Sequence, residues 1–244
     1  MFSNKTYWIV GASEGLGRSL AQEMNQLGAR LILTARNPDR LAELAGSFTQ
    51  ARALAMDVSD PNSVAQAAAN LGRIDGVIYC AGAYEPMSAN QWNTDAIQSM
   101  TEVNYLGATR VLAHVVPDFI QRNQGHIALI GSLAGFRGLP GAIGYSASKA
   151  ALMHLAENLY ADLRDTQVIV QQINPGFIKT RLTDKNEFNM PQIMTPEQCA
   201  SRVVKILQSR RFSTSFPHPF AWLFTVGRFL PRSAFYRLFP TASK

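Results

Sequence analysis

Short apolar runs alternate with segments of helical period along most of this chain. The first run, Tyr7 to Val10, leads directly into the turn GASEGLG and then into the amphipathic segment SLAQEMNQLG, which predicts strand, tight turn and helix. Further apolar runs lie at 30–34, 52–56, 74–79, 126–131 and 167–173. Such runs are typical of strands buried on both faces, so the pattern predicts an α/β fold with a doubly wound parallel sheet.

The turn after the first strand carries Gly11, Gly15 and Gly17 in a G-x-x-x-G-x-G spacing. Glycines at these positions let backbone amides and a helix N-terminus approach a pyrophosphate without side chains between them. An ordinary glycine-rich turn is the alternative for this motif taken alone.

Tyr145 and Lys149 are separated by one helical turn in GYSASKAAL, and Ser132 precedes them in ALIGSLAG. Four residues of separation place the phenol and the ammonium on one helix face. We expect the cation to lower the pKa of the phenol, which would make Tyr145 an acid/base near neutral pH.

Together, these motifs resemble those of the short-chain dehydrogenase/reductase family, in its short single-domain branch. The resemblance covers about residues 5 to 210 and implies a Rossmann fold. The motifs that carry it, in order, are GASEGLG, Asp57-Val58, CAGA at 80–83, Asn104 in VNYLG, Ser132, YSASK and Pro175-Gly176.

The resemblance also implies catalytic roles. Tyr145 would exchange a proton with the substrate oxygen, Lys149 would lower the phenol pKa and hold the nicotinamide ribose, and Ser132 would donate a hydrogen bond to that oxygen. Asn104 would hold a water linked to Lys149. The implied cofactor-binding residues are Gly11, Ser13, Glu14, Gly15, Leu16, Gly17, Arg36, Asp57, Val58, Cys80, Ala81, Gly82, Tyr145, Lys149, Pro175, Gly176, Ile178 and Thr180.

The end of the second predicted strand bears on the choice between NAD and NADP. It lacks the acid that would bind the 2′-hydroxyl of NAD, and Arg36 offers a guanidinium for a 2′-phosphate instead. NADP(H) is therefore the expected cofactor and NAD the less favoured one. The chain departs from the family at two positions. Glu14 lies in the glycine turn, where relatives often have a basic residue that helps to bind the phosphate, and Cys80 replaces the usual asparagine.

Length and composition agree with one α/β domain. The chain has 244 residues, 47% of them hydrophobic and 16% charged, which is enough to form one large core. Two distant cysteines give no metal-binding spacing, so no metal is expected. No secretory signal is recognised at the N-terminus, and cytoplasmic residence is the expectation.

The C-terminal segment does not fit the family pattern. From Gln198 onward there are eight Lys or Arg and no Asp or Glu. We expect residues 1–211 to form the domain and residues 212–244 a helical extension rich in aromatic and basic residues, in place of the family's short final strand and glycine-rich turn. Three alternatives remain open for it: a membrane surface, a wall of the substrate pocket, or a second subunit. Nucleic-acid binding has no supporting motif. The aromatic residues are Phe212, Phe216, Phe220, Trp222, Phe224, Phe229, Phe235, Tyr236 and Phe239.

Residues 181–196 take the place of a mobile substrate-covering segment in relatives. Phe188, Met190, Ile193 and Met194 in this segment favour an apolar or amphipathic substrate, although an ordinary surface loop is equally compatible with the pattern.

Two functions from different classes follow from the sequence. The favoured one is an NADP(H)-dependent oxidoreductase acting on a lipophilic carbonyl compound or secondary alcohol. The alternative is a dinucleotide-binding or membrane-associated scaffold with vestigial catalysis, and an extended-branch epimerase is disfavoured by the glycine spacing. By analogy with relatives, a homodimer or homotetramer formed through the helices near 104–122 and 144–164 is expected.

Overall fold

The protein is built on a seven-stranded parallel sheet, seen in a computed structural model that describes residues 2–239. The strand order is β3-β2-β1-β4-β5-β6-β7, so connections run outward in both directions from β1 and β4. This topology confirms the doubly wound α/β prediction and its Rossmann-type, single-domain form. The strands are β1 (Thr6–Val10), β2 (Arg30–Ala35), β3 (Ala51–Ala55), β4 (Gly76–Tyr79), β5 (Gly125–Ile130), β6 (Val168–Pro175) and β7 (Ser213–Phe216).

Helices cover both faces of the sheet, and their starts follow local capping chemistry. Asn37, Asp60 and Thr195 each accept a hydrogen bond from a backbone amide in the first helical turn, and proline follows each of them. The helices are α1 (Gly15–Gln26), α2 (Pro38–Gly46), α3 (Pro61–Ala69), α4 (Thr94–Thr101), α5 (Gly107–Gln121), α6 (Ile143–Leu163), α7 (Pro196–Leu207), α8 (Phe220–Thr225) and α9 (Arg232–Tyr236).

Two hydrophobic clusters lie on opposite faces of the sheet. Successive side chains of a strand point to opposite faces, and in β1 Ile9 belongs to one cluster while Trp8 and Val10 belong to the other. Because both faces are covered, the central strands β1, β4 and β5 are largely apolar, which is why the sequence pattern identified them.

The last strand was not predicted. We expected a helical extension from residue 212, but Ser213–Phe216 pairs in parallel with β6 and completes the sheet. This strand is four residues long and reads STSF, so it lacks the continuous apolar run of a central strand. The proposed boundary between residues 211 and 212 stays a prediction, although the sheet itself continues to Phe216.

The segment beyond β7 folds back onto the domain. Phe224 and Phe235, from α8 and α9, form a third small cluster with Leu133, which lies three residues beyond β5. Residues 217–239, which we call the tail, therefore pack beside the edge of the sheet where the strands end at their carboxyl termini. Among residues 2–239, no helix combines the length and apolar character needed to cross a bilayer.

Candidate active site

The residues singled out in the sequence meet at one edge of the sheet. Gly11, Arg36 and Cys80 each follow directly after the last residue of a strand, and Ser132 lies two residues beyond β5. Since all strands are parallel, their carboxyl ends lie along the same edge. That edge, near the switch point between β1 and β4, is where open α/β sheets bind ligands.

The glycine turn is packed against the loop after β4. Gly11 has a φ of +89°, and a Cβ there would lie 2.6 Å from the Ala81 amide nitrogen. A Cβ on Gly17 would lie 2.0 Å from the Gly11 carbonyl oxygen. Only glycine fits either position, so the start of α1 is held directly against the turn. A helix N-terminus is suited to bind a phosphate group. Ser13, Glu14, Gly15 and Leu16 complete this turn.

Glu14 does not stand in the turn as an unpaired acid. Its carboxylate accepts hydrogen bonds from Arg181 at 2.6 Å and from Arg40 at 3.2 Å. These two arginines come from the segment after β6 and from the first turns of α2. The negative charge that argued against a 2′-phosphate nearby is thus offset by two cations, which the sequence analysis did not identify.

Arg36 and Asp57 are neighbours at the ends of β2 and β3. Burial alone would raise the pKa of Asp57, but hydrogen bonds from Ser59 and the charge of Arg36 hold it below its usual value. Asp57 accepts from the Ser59 amide at 2.9 Å, and the N-cap of α3 is Asp60 instead. Asp57 therefore does not cap the helix, and its side chain is bonded to the Ser59 amide and hydroxyl. Val58 lies beside it with a largely buried side chain.

Tyr145 and Lys149 lie one turn apart in α6 and share a face, as predicted. The Lys149 Nζ is 6.0 Å from the centroid of the Tyr145 ring and donates a hydrogen bond to the Ile130 carbonyl at 2.8 Å. This bond ties the lysine to the end of β5, two residues before Ser132. Side chains from the helix and from the strand end thus converge on one point of the crevice.

The direction of the Tyr145 pKa differs from the one expected. Burial raises the pKa of the phenol above its ordinary value, and the hydrogen bond with Ser132 offsets this only in part. Burial lowers the pKa of Lys149 to about 8, and the neighbouring Cys80 acts weakly in the other direction. In the structure as described, burial therefore outweighs the hydrogen bond from Ser132, and the net direction is opposite to the lowering that we expected. A lowering of the phenol pKa by Lys149 itself stays a prediction.

Asn104 is completely buried in a π-helical turn, Glu102–Leu106, between α4 and α5. Its side-chain oxygen accepts from the Ala83 amide at 2.7 Å, and its amide nitrogen donates to the Ala83 carbonyl and to the Ser148 hydroxyl, both at 2.9 Å. The side chain thus joins the loop after β4 to α6. A π turn of this kind is often found at functional sites.

The loop after β4 brings backbone close to the lysine. A Cβ on Gly82 would lie 3.9 Å from the Lys149 Nζ. The backbone of Cys80 is bonded to Val10 in β1 at 2.8 Å, and burial raises the pKa of its thiol to about 12. Cys80 is therefore a neutral packing residue where the family places asparagine, and the run Cys80-Ala81-Gly82 still lines the crevice.

Tyr84 is a site residue that the sequence analysis missed. Its ring packs edge-on against the ring of Tyr145, with centroids 5.0 Å apart, and its hydroxyl donates to Asn186 at 2.7 Å. Burial raises the pKa of Tyr84 to about 12. An aromatic residue two positions after the CAGA glycine was the available signal, because that loop ends beside the predicted catalytic helix.

One contact ties the segment after β6 to the loop after β4, and a second one joins the two ends of the segment. Lys185 donates to the Tyr84 carbonyl at 3.1 Å, and Ile178 forms a parallel bridge with Met194. Met194 is buried in the cluster that contains Ile9, so it packs into the core, unlike Phe188, Met190 and Ile193. Thr180 lies beside Gly15, with its methyl group 3.0 Å from the position of a Cβ on that glycine. The loop thus reaches back from Pro175 and Gly176 to the glycine turn.

Aromatic side chains form the outer wall next to this segment. Phe177 contacts Phe188 edge-on, with centroids 5.8 Å apart, and stacks on Phe220 of α8 at 5.6 Å. Phe188 and Ile193 are exposed and Met190 is half-buried. The tail therefore contributes Phe220 to the surroundings of the site, which was one of the three alternatives for it.

The crevice fits a nicotinamide dinucleotide. A Cβ would fill the space that Gly11 and Gly17 leave open. The loop after β4 approaches Gly11 through Ala81 and approaches the Lys149 ammonium, next to Tyr145, through Gly82. Within residues 2–239, no cluster of three or more His, Cys, Asp or Glu side chains is placed to hold a metal ion.

Comparison with known proteins gives consistent matches over this chain. The family model for short chain dehydrogenases matches residues 5–190. An uncharacterized oxidoreductase of Myxococcus xanthus is 34% identical over 96% of this chain and 95% of its own length. A short-chain dehydrogenase of Streptomyces avermitilis superposes with a TM-score of 0.84 at 25% identity, covering 97% of this chain and 96% of that one. A short-chain dehydrogenase of Sphingobium yanoikuyae, solved in complex with NADPH, has a TM-score of 0.83 at 26% identity, with 98% of each chain covered.

Proposed function

The chain belongs to the short-chain dehydrogenase family, in its single-domain branch, and from this premise we propose that it is an NADP(H)-dependent oxidoreductase of lipophilic carbonyl compounds or secondary alcohols. One observation carries the proposal: Ser132, Tyr145 and Lys149 converge at the carboxyl end of β5, beside a glycine turn that fits a dinucleotide. A bound nicotinamide supplies the hydride, and the protein supplies the proton and the positioning.

Tyr145 is the proposed acid/base. Its raised pKa keeps the phenol protonated at neutral pH, so it is ready to donate a proton to a carbonyl oxygen as that oxygen gains charge. Ser132 donates a hydrogen bond to the same oxygen, which stabilises the charge of the transition state. Lys149, with a pKa of about 8, is mostly protonated at neutral pH and binds hydroxyl groups of the ribose. Asn104 positions the loop after β4 and the helix against each other.

The 2′-phosphate is the proposed basis of cofactor choice. Arg36 is exposed at the end of β2 with no acid at that strand end, and Arg40 lies one helical turn further along the chain. Arg40 and Arg181 also neutralise Glu14. A dianionic phosphate would therefore find the guanidinium of Arg36 at this end of the crevice, with the Glu14 carboxylate already paired to two arginines. The NADPH bound to the Sphingobium relative supports the same choice.

A lipophilic substrate is proposed from the side chains around Tyr145. Tyr84 lies on one side of it, and Phe177 with Phe188 and Phe220 forms an aromatic wall nearby. Aromatic rings favour apolar ligands because burial of apolar surface is the main contribution to their binding. We further propose cytoplasmic residence and a homodimer or homotetramer formed through α5 and α6, by analogy with the family.

The test is an absorbance assay of NADPH and NADH with ketones, aldehydes and secondary alcohols of increasing chain length. We expect turnover to favour the longer, more apolar members and Tyr145→Phe to lower kcat by roughly 10²- to 10⁴-fold, the usual contribution of general acid catalysis. Tyr160→Phe is the matched control, because Tyr160 lies on the same helix and stacks on Phe212 instead. Equal rates for the intact chain and Tyr145→Phe would remove Tyr145 from the mechanism. Cofactor binding without turnover of any substrate would favour the scaffold alternative.

A further inference from the structure

The tail carries an unpartnered apolar surface next to the site. Trp222, Val226, Phe229 and Leu230 have exposed fractions of 57%, 63%, 76% and 43%, and we call these four residues the tail patch. Three of them, Trp222, Val226 and Leu230, line a shallow apolar depression together with Leu223 and Gly227. Contiguous exposed apolar surface of this kind marks an interaction site in soluble domains.

The tail patch is held in a fixed orientation. Arg137, in the loop after Ser132, donates to the carbonyl oxygens of Arg228 and Leu230 at 2.5 and 2.6 Å, and its guanidinium lies 4.9 Å from the Phe235 ring. Tyr236 donates to the Gly138 carbonyl at 3.1 Å. The opposite side of α8 and α9 is buried in the third cluster. The exposed side chains therefore belong to a packed element, and their exposure is not a consequence of a loose chain end.

Charge indicates what covers this surface. Arg228, Arg232 and Arg237 are exposed in the same short stretch, and the chain has no acidic residue after Glu197. A second copy packed face to face would bring these arginines together without carboxylates to pair them. An anionic lipid surface matches both properties, because its headgroups attract arginine and its acyl region accepts aromatic and aliphatic side chains.

We propose that the tail patch docks on the surface of an anionic membrane. The contact is interfacial, since α8 has six residues and no helix within residues 2–239 is fit to span a bilayer. Trp222 and Phe229 enter the lipid interface while the arginines remain at the headgroups. Phe220 stacks on Phe177 in the wall of the site, so docking presents that wall to the membrane. The docking itself does not depend on the proposed reaction.

Sedimentation of the full chain with vesicles tests the proposal. With vesicles of phosphatidylcholine and phosphatidylglycerol we expect co-sedimentation that weakens as salt is added, and little with phosphatidylcholine alone. Trp222→Ser and Phe229→Ser should each lower the partition coefficient about tenfold or more, the effect of losing one buried aromatic side chain. Arg232→Gln should lower it about fivefold.

Matched controls separate docking from general effects. Trp92→Ser removes a tryptophan that is 62% exposed outside the tail patch, and Arg73→Gln removes an exposed arginine from the loop before β4. Neither should change the partition coefficient. Quenching of tryptophan emission by brominated lipid should be lost in Trp222→Phe and retained in Trp92→Phe. The melting temperature of each variant shows whether it is folded.

Several outcomes would overturn the proposal. The intact protein could remain in the supernatant with both vesicle types, or bind both equally, or lose binding in the Trp92→Ser control as strongly as in Trp222→Ser. A change of particle mass in solution on Trp222→Ser, without vesicles, would assign the tail patch to contact between copies. None of these results depends on turnover, so they leave the proposed oxidoreductase function to its own assay.

Discussion

At the scale of single residues, burial controls the chemistry of the site. It raises the pKa of Tyr145 and lowers that of Lys149, so both side chains are shifted toward their neutral forms. A protonated phenol suits reduction of a carbonyl, which needs a proton donor, and opposes oxidation of an alcohol, which needs a base. The two directions of the proposed reaction should therefore respond differently to pH.

We predict that kcat/KM for carbonyl reduction is constant between pH 6 and about 8 and falls above that. The phenol remains protonated over this range, whereas Lys149 loses its charge as the pH passes its pKa of about 8. For alcohol oxidation, kcat/KM should rise up to about tenfold per pH unit toward pH 8, because the required phenolate is then the minor form. Initial rates in both directions provide the measurement. A reduction rate that climbs between pH 8 and 9 would contradict this assignment.

A second residue-scale prediction concerns Arg36. Replacing it with aspartate removes a cation from the proposed phosphate site and introduces repulsion, so the ratio of kcat/KM for NADPH to that for NADH should fall about tenfold to hundredfold. Arg73→Asp makes the same change of net charge in the exposed loop before β4 and should leave the ratio unaltered. An unchanged ratio in Arg36→Asp would show that Arg36 does not bind the phosphate.

The sequence allowed us to predict site features that depend on the spacing of residues along a helix. It did not allow us to predict features that depend on packing between distant parts of the chain. The shared face of Tyr145 and Lys149 follows from one helical turn, so it could be predicted. The direction of the phenol pKa could not, because it is set by residues distant in sequence that bury the ring. The edge-on contact of Tyr84 and the ion pair between Arg181 and Glu14 are likewise long-range.

At the scale of elements, close backbone approaches give the site its shape. In the first turn of α1, Gly17 lies against the carbonyl of Gly11, and the π turn at Asn104 joins the loop after β4 to α6. The apolar runs revealed six of the seven strands. Five of these are buried along most of their length, whereas β3, at the edge of the sheet, is only partly buried. The short, polar β7 follows from pairing with β6, and no local pattern encodes it.

Gly17→Ala tests the close approach directly. A Cβ would meet the Gly11 oxygen at 2.0 Å, so α1 must shift away from the turn. We expect a loss of about 1 to 3 kcal/mol in the free energy of unfolding. The affinity for NADPH, measured by fluorescence titration, should fall as well.

Gly46→Ala is the matched control for this substitution. Gly46 is the last residue of α2, and a Cβ there has no neighbour within 4 Å. Because alanine restricts the unfolded chain more than glycine does, Gly46→Ala should leave NADPH affinity unchanged and stabilise the fold by about 0.4 to 1 kcal/mol. If urea unfolding gave the same change in the free energy of unfolding for both substitutions, the close approach of Gly17 to Gly11 would not be what requires glycine at position 17.

At the scale of the whole molecule, the core is divided unequally. Two large clusters lie on the two faces of the sheet, and the third, around Leu133, Phe224 and Phe235, joins the tail to the loop beside the site. A small cluster at the margin can open at lower free energy than the sheet, because few buried contacts must be broken. The tail should therefore behave as its own unit of local stability.

Arg137→Ala should lower the local stability of the tail without changing that of the sheet. Arg137 donates two hydrogen bonds to the turn at 228–230 and its guanidinium lies over the Phe235 ring, whereas it contributes nothing to the sheet. Two hydrogen bonds contribute about 1 kcal/mol each, so amide exchange in residues 220–239 should become roughly tenfold to thirtyfold faster while β1, β4 and β5 keep their protection. Mass-spectrometric hydrogen exchange measures both regions in one experiment, with Arg164→Ala at the exposed end of α6 as the control. If exchange instead accelerated by the same factor in the tail and the central strands, the tail would open only with the whole domain. Its cluster would then be an integral part of the fold that supports Ser132.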